Sequence, residues 1–271
     1  MPLQAAYTAF GLSIRSDFLL PELIGATSGQ PADITIRTGC VDQFLLDMEG
    51  IARYRVSAGT EITVEPYPEA DEDSIRLFLM GSVFGALLHQ RGLLPLHASA
   101  IETPKGAVLF AGGSGKGKSA LAAAFYTRGY RVIADEICLA DPNCIPAFPR
   151  LMLWPDILDQ TGLWKPNVRP ARPNLKKFHV PLERFASEPS PVYAIYLLGA
   201  NNAAESSLEP VSGFNKVAEL VDVIYRRRFC AEIDYFDRLT ALARHRVVRL
   251  ERSSSASLHE TADLLERDFG R

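Results

Sequence analysis

The sequence predicts an α/β chain, α+β overall, with a small, mostly antiparallel β module at the N-terminus and a larger α/β module behind it. Two observations support this prediction. Short runs of alternating or β-branched residues, separated by Gly, Pro and Ser, fill the first 70 residues. Further on, a strand pattern, a glycine-rich loop, a helix pattern and another strand pattern follow one another between Ala107 and Ala134. The predicted domains are therefore residues 1–70 and residues 71–271.

Four strands and a helix are predicted for the front part of the chain. The strands are Tyr7–Ile14, Asp33–Thr38, Ile51–Ser57 and Glu61–Tyr67, and a hairpin turn at Ala58-Gly59-Thr60 joins the last two. Acidic residues then precede an apolar stretch from Ser74 to about Gln90, which predicts a mostly buried helix. Nothing in residues 1–70 indicates chemistry.

Composition excludes several classes of protein. The 271 residues are 47% hydrophobic and 23% charged, which is typical of a globular protein and not of a disordered or fibrous one. We find no signal-peptide pattern and no apolar stretch of about 18 residues, so we expect a cytoplasmic protein without a membrane segment. There is no long basic block of the kind that binds nucleic acid, and the four cysteines form neither a disulfide framework nor a zinc spacing.

A glycine loop is the main functional signal. Gly112-Gly113-Ser114-Gly115-Lys116-Gly117-Lys118-Ser119 matches G-x-x-x-x-G-K-S, the Walker A pattern, between a predicted strand and a predicted helix. Glycines let the backbone N–H groups point at phosphates, and the N-terminus of the next helix adds positive potential. Lys118 is expected to reach the β- and γ-phosphates of ATP, and the Ser119 hydroxyl to bind Mg²⁺. Lys116 is either another phosphate contact or a solvated side chain.

Three more residues are candidates for the same site. Asp135 follows the next predicted strand, at the sheet edge where ligands bind, so its carboxylate can hold Mg²⁺ or accept a proton from an attacking hydroxyl. Glu136 is expected to point to the opposite side if that strand continues. His97 is predicted to lie on the strand that pairs with the one entering the loop, where it is either catalytic or a half-buried structural residue.

Four motifs at matching spacing resemble the catalytic domain of bacterial HPr serine kinase/phosphorylase. They are Leu96-His97-Ala98-Ser99, the loop Gly112–Ser119, Arg128-Gly129-Tyr130-Arg131 and Ala134-Asp135-Glu136, and they cover roughly residues 94–140. The resemblance implies a phosphoenolpyruvate-carboxykinase-like phosphate-loop fold and transfer of phosphate from ATP to a protein serine. It also implies that His97 is the active-site histidine and Asp135 the catalytic acid/base. Lys118 and Ser119 match the family's nucleotide lysine and Mg²⁺ ligand.

The chain departs from this family in two motifs and in its front module, which is unlike the family's usual regulatory domain. Asp135-Glu136 stands where the family usually has two aspartates, and the later family signature, a Glu and an Arg around a glycine, is not recognisable. As a whole the chain looks more like the related kinases found beside peptide-natural-product genes, some of which phosphorylate the C-terminal residue of a lasso precursor peptide. The acceptor implied is a hydroxyl, first of all serine, on a peptide or protein, and a reverse phosphorylase activity is left open.

Two basic segments are candidates to supply a further cation. Lys165–Arg184 contains six Lys and Arg and four prolines, so it is either an irregular loop that orders over the substrates or a solvated loop. Arg226-Arg227-Arg228 is the second candidate, because an arginine there could stabilise the transferring phosphoryl group. The sequence does not choose among these arginines.

The sequence leaves open two other functions, a nucleotide-binding regulator without phosphotransfer and a small-molecule kinase. It also leaves open whether the chain forms a homo-oligomer.

Overall fold

A computed structural model describes residues 5–27, 31–41, 45–140, 142–199, 204–230 and 235–270. The described residues form a mixed α/β structure with several sheets, which agrees with the predicted α+β class. Within them, no helix is both long and apolar enough to cross a membrane.

The front part of the chain forms a seven-stranded sheet. Its strands are β1 (Ala5–Ala9), β2 (Leu12–Ser16), β3 (Ile24–Gly25), β4 (Ile34–Thr38), β5 (Leu46–Met48), β6 (Ala52–Ser57) and β7 (Glu61–Pro66), in the order β3-β1-β2-β4-β7-β6-β5. Only β4 pairs in parallel, with β2 and β7, so the sheet is mostly antiparallel as predicted. The prediction of one strand over Tyr7–Ile14 is wrong, because Phe10 and Gly11 both have positive φ angles and form a hairpin turn.

A buried helical segment follows the front sheet. It consists of α1 (Glu72–Phe78), a π-helical stretch (Leu79–Val83) and α2 (Phe84–Gln90). The Asp71 carboxylate caps α1 by accepting a hydrogen bond from the Ser74 N–H at 2.8 Å. Every residue of the π-helical stretch is buried, and so are the first six residues of α2. The predicted buried helix is therefore confirmed.

The remaining strands form two further sheets, and helices connect some of them. In chain order they are β8 (Pro95–Leu96), β9 (Ala98–Thr103), β10 (Gly106–Ala111), α3 (Lys118–Thr127), β11 (Arg131–Ala134), β12 (Cys138–Ala140), β13 (Asn143–Ile145), β14 (Arg150–Leu153), α4 (Pro155–Thr161), β15 (Arg169–Pro170), β16 (Phe178–Pro181), β17 (Ser190–Leu198), β18 (Ser207–Pro210), α5 (Asn215–Asp222), α6 (Phe236–Leu242), β19 (Arg246–Glu251) and α7 (Leu258–Gly270). The larger sheet has the order β11-β9-β10-β17-β13-β12-β8, with β19 pairing β17 and β18, and the smaller one has the order β14-β16-β15.

The larger sheet determines where the site lies. Strands β10, β17 and β19 are parallel, and β9 is antiparallel to both β10 and β11. Strands β10, β11, β17 and β19 therefore all end at one edge of the sheet. The predicted order of strand, loop, helix and strand is confirmed, with Gly129 at a φ of 99° after α3.

One buried apolar cluster includes residues from both predicted domains. The Phe10 ring packs edge-on against Phe148, with centroids 5.0 Å apart, and lies 6.4 Å from the Phe84 ring. The Phe10 N–H also donates a hydrogen bond to the Pro146 carbonyl at 3.0 Å. The front sheet thus packs directly on the rest of the chain, and the division at residue 70 stays a prediction.

Candidate active site

The glycine loop connects the end of β10 to the start of α3 and is already curled. Gly115 and Gly117 have φ angles of 78° and 90°, which favour glycine. The Lys118 side chain folds back over the loop, and its ammonium donates a hydrogen bond to the Gly113 carbonyl at 2.7 Å. The loop is therefore curled, and the Lys118 ammonium is bonded back onto its backbone.

Asp135 is buried next to this loop, with only 6% of its surface exposed. Its Oδ1 accepts hydrogen bonds from the hydroxyls of Ser119 at 2.7 Å and Ser99 at 2.6 Å. Its Oδ2 accepts one from the Met152 N–H at 2.9 Å. Three donors thus fix the carboxylate, and the two predicted Mg²⁺ ligands, Ser119 and Asp135, lie in direct contact. The sequence analysis did not find Ser99 or Met152 as partners, because they come from other strands.

His97 also lies at this site, but in the bend between β8 and β9 and not on a strand as predicted. Its ring packs edge-on against Tyr225, with centroids 5.6 Å apart. Burial, and then the positive charge of Lys118, lower the pKa of His97 to about 4, although Asp135 opposes this shift. His97 is therefore an uncharged imidazole at neutral pH.

Glu136 was expected to point to the opposite side from Asp135 if the strand continued, and the strand does not continue. Strand β11 ends at Ala134 and Glu136 has a φ of 72°, so the alternation of a continuing strand does not apply. Its carboxylate lines the same cavity as Asp135 and accepts a hydrogen bond from the Tyr225 hydroxyl at 3.0 Å. Tyr225, which sequence reasoning missed, thus joins Glu136 to His97.

The ammonium of Lys118 is unusually easy to deprotonate. Burial is the main cause, and it lowers the pKa of Lys118 to about 8, while the Asp135 carboxylate acts in the opposite direction. The positive charge of Lys177 lowers the pKa further. Lys118 is thus still mainly charged at neutral pH, which the expected contact with phosphates requires.

A cavity of about 610 Å³ brings most of the predicted residues together, and its volume is typical of a small-molecule site. Its lining includes the predicted residues His97, Ser114, Gly115, Gly117, Lys118, Ser119 and Asp135. Other side chains that line it include Glu136, Trp154, Asp156, Ile157, Lys177, Tyr225 and Arg226. Gly112, Gly113 and Lys116 belong to the loop but not to this lining.

The basic segments contribute one residue each. Lys165–Arg184 is not wholly irregular, because it contains β15 and β16 of the smaller sheet. Of its six basic residues only Lys177 lines the cavity, where its ammonium lies 6.0 Å from the centre of the Trp154 ring. Of the three consecutive arginines only Arg226 does so.

Arg252 contacts the backbone of the glycine loop, and the sequence analysis did not identify it. Its guanidinium donates a hydrogen bond to the Lys116 carbonyl at 2.8 Å, and a Cβ on Gly117 would come within 3.0 Å of it. It follows β19, so only the pairing of β19 with β17 brings it to this edge of the sheet. No local sequence signal marks such a residue.

The oxygen donors at the site fit Mg²⁺ and a polyphosphate. Mg²⁺ is usually bound through one or two protein oxygens together with substrate phosphates, and Ser119 and Asp135 offer such oxygens beside the loop. In the part of the chain that the structure describes, no group of three or more His, Cys, Asp or Glu side chains is arranged to hold a metal ion.

Neither the protein-family models nor the curated proteins compared with this sequence give a match. The assignment of a function therefore depends on the motifs and on the geometry of the site.

Proposed function

We propose that the chain is an ATP-dependent kinase that transfers the γ-phosphoryl group to a hydroxyl, first of all a serine, of a peptide or protein. We also propose that residues 71–271 form an HPr-kinase-like P-loop domain. The observation that carries this proposal is the position of Asp135, a buried carboxylate in contact with Ser119 of the loop. A protein that only binds a nucleotide needs the loop, but it does not need a fixed carboxylate where the γ-phosphate would lie.

The side chains divide the work of the proposed reaction. The acceptor oxygen forms a bond to the γ-phosphorus, the bond from that phosphorus to the bridging oxygen of ADP breaks, and Asp135 takes the proton of the acceptor hydroxyl. Lys118 binds the β- and γ-phosphate oxygens. If the Ser119 hydroxyl binds Mg²⁺, it no longer donates its hydrogen bond to Asp135 Oδ1. That oxygen then keeps the hydrogen bond from Ser99 and has a lone pair free to accept the proton. Mg²⁺, when bound, neutralises phosphate charge.

The variant Asp135→Asn tests this proposal because it keeps the shape and removes the proton acceptor. If Asp135 acts as the base, ATP affinity should stay within a few-fold of wild type and phosphotransfer should fall by about 10²–10⁴-fold, the usual contribution of a general base. A carboxylate that mainly holds Mg²⁺ would instead weaken ATP affinity in the same variant. Calorimetry measures ATP binding. Labelled ATP, with a panel of serine-containing peptides that includes lasso-type precursors, measures transfer. Asp222→Asn, at an exposed position outside the cavity, is the control.

Other outcomes favour other functions. If the wild-type protein binds ATP but labels no peptide, protein or small hydroxyl compound, it is a nucleotide-binding regulator. If it labels only small hydroxyl compounds, it is a small-molecule kinase. A normal transfer rate in Asp135→Asn would remove Asp135 as the base.

A further inference from the structure

Two basic side chains line the cavity in addition to Lys118, namely Lys177 and Arg226. Among the described residues, neither side chain forms an ion pair with a carboxylate. The Arg226 guanidinium lies 5.7 Å from the centre of the Tyr225 ring, and the Lys177 ammonium lies against Trp154. Both charges are therefore available to an anionic ligand.

Arg226 belongs to the part of the cavity where His97 and Glu136 lie. Its ring partner Tyr225 packs against His97 at 5.6 Å and donates its hydroxyl hydrogen bond to Glu136 at 3.0 Å. The charge of Arg226 contributes to the low pKa of His97, and the charge of Lys177 contributes to the low pKa of both His97 and Lys118. The contact with Tyr225 therefore places Arg226 beside His97 and Glu136, on the side of the cavity that an acceptor would approach.

The backbone at Arg226 is held in an unusual conformation. Its φ is 49°, a left-handed value that is uncommon for a residue other than glycine. The preceding residue is fixed on both sides, because the Tyr225 N–H donates to the Pro95 carbonyl at 2.8 Å and the Tyr225 carbonyl contacts His89 Nε2 at 2.7 Å. Strained residues that neighbours hold in place cluster at functional sites.

We propose that Arg226 binds the γ-phosphoryl oxygens while that group moves from ATP to the acceptor, an inference that rests on the proposed kinase function. Lys118 neutralises the negative charge of the γ-phosphoryl group on its ATP side. A second cation is needed on the side of the acceptor, towards which the negatively charged group moves. Uncharged His97 does not supply it. A guanidinium does, because it is always charged and presents several N–H donors in a plane. Arg226 only donates hydrogen bonds and exchanges no proton, so the bond changes are those given above.

The two following arginines differ from Arg226. Arg227 and Arg228 begin a short 3₁₀ helix, Arg227–Cys230, and neither lines the cavity. The Arg228 guanidinium lies 5.0 Å from the centre of the Phe229 ring. Arg228 is exposed like Arg226, so it provides a matched control two residues away.

The test compares ADP with ADP plus aluminium fluoride, which imitates the phosphoryl group in transfer, in the presence of Mg²⁺. We expect the full-length wild-type protein to bind the mimic complex at least ~10-fold more tightly than ADP. Arg226→Gln should lose this gain and bind ADP within about threefold of wild type, whereas Arg228→Gln should keep the gain. Where an acceptor is available, Arg226→Gln should lower kcat by ~10²–10³-fold and Arg226→Lys by less.

Several results would overturn the inference. The first is that Arg226→Gln still binds ADP with aluminium fluoride as much more tightly than ADP as the wild type does. The second is that the wild type binds ADP normally but binds the mimic complex no more tightly. The third is that Arg226→Gln changes the KM for the acceptor and leaves kcat unchanged. The last result would mean that Arg226 reads the acceptor and not the moving phosphoryl group. The kinase proposal fails by a different measurement, the absence of label transfer from ATP by the wild-type protein, so the two failures are distinguishable.

Discussion

Burial controls which side chains of this site are charged. Lys118 is buried and His97 is partly buried, and in both side chains desolvation disfavours the positive form. The pKa of His97 falls to about 4, so His97 is neutral throughout the physiological range. The pKa of Lys118 falls only to about 8, partly because Asp135 opposes the shift. Lys118 is therefore protonated at neutral pH, and it loses its proton when the pH rises above about 8.

This leads to a prediction about pH. The proposed ATP site uses the protonated form of Lys118, so ATP affinity should fall as the pH rises through about 8, and well above that value by about tenfold per pH unit. Lys118→Arg should bind ATP with little pH dependence up to pH 9.5, because arginine does not deprotonate there. Calorimetry from pH 6.5 to 9.5 measures both. A flat profile for the wild type would contradict the assignment of Lys118.

At the scale of elements, the helical segment of residues 72–90 supports the site although none of its residues lines the cavity. Gly81 and Gly85 lie one turn apart and leave room for the Tyr225 side chain. His89, one turn further on, contacts the Tyr225 carbonyl at 2.7 Å and the Tyr235 hydroxyl at 2.6 Å. The segment therefore determines where Tyr225 and Arg226 stand.

We predict that Gly85→Ala reduces phosphotransfer. A Cβ at Gly85 would lie 2.8 Å from two carbons of the Tyr225 ring, so the ring must move, and with it the contacts to Glu136 and His97. A misplacement of about 1 Å can cost ~10²-fold in rate. Stability should change by less than about 2 kcal/mol, because the better helix propensity of alanine offsets part of the crowding.

Gly81→Ala is the control for this prediction. Its Cβ would meet the Tyr225 hydroxyl at 3.4 Å, an ordinary contact, so we expect nearly normal activity. Transfer assays and thermal melts of both variants provide the comparison. If Gly85→Ala is as active as Gly81→Ala, the helix does not position Tyr225 for catalysis.

The same elements show what a sequence can reveal. The loop Gly112–Ser119, helix α3 and Asp135 were predictable because glycines, a lysine and a strand end are local signals. Tyr225 and Arg252 were not, because only backbone pairing with Pro95 and with β17 brings them to the site. The side on which Glu136 lies depended on whether the strand continued, and the sequence did not show that the strand ends at Ala134 and that Glu136 is left-handed.

For the molecule as a whole, the main question is how closely the front sheet is coupled to the site. Glu22 of the front part is buried and forms ion pairs with Arg76 of α1 at 3.3 Å and Arg169 of β15 at 3.2 Å. Arg169 lies opposite His179 on β16, and Lys177 of the cavity directly precedes β16. The front part of the chain thus contacts the small sheet, and Lys177 of the cavity adjoins that same sheet.

Our last prediction tests whether residues 1–70 unfold on their own. Phe10 packs against Phe84 and Phe148 of the other part, so Phe10→Ala should leave a cavity at the junction and cost about 3–5 kcal/mol. Because the apolar cluster is continuous across the junction, we expect calorimetry to show one unfolding transition, lowered by roughly 6–20 °C in this variant. Phe214→Ala, at a position that is 72% exposed, should melt like the wild type. Two resolved transitions, of which Phe10→Ala shifts only the first, would instead mean that the front sheet is an independent unit ending near residue 70.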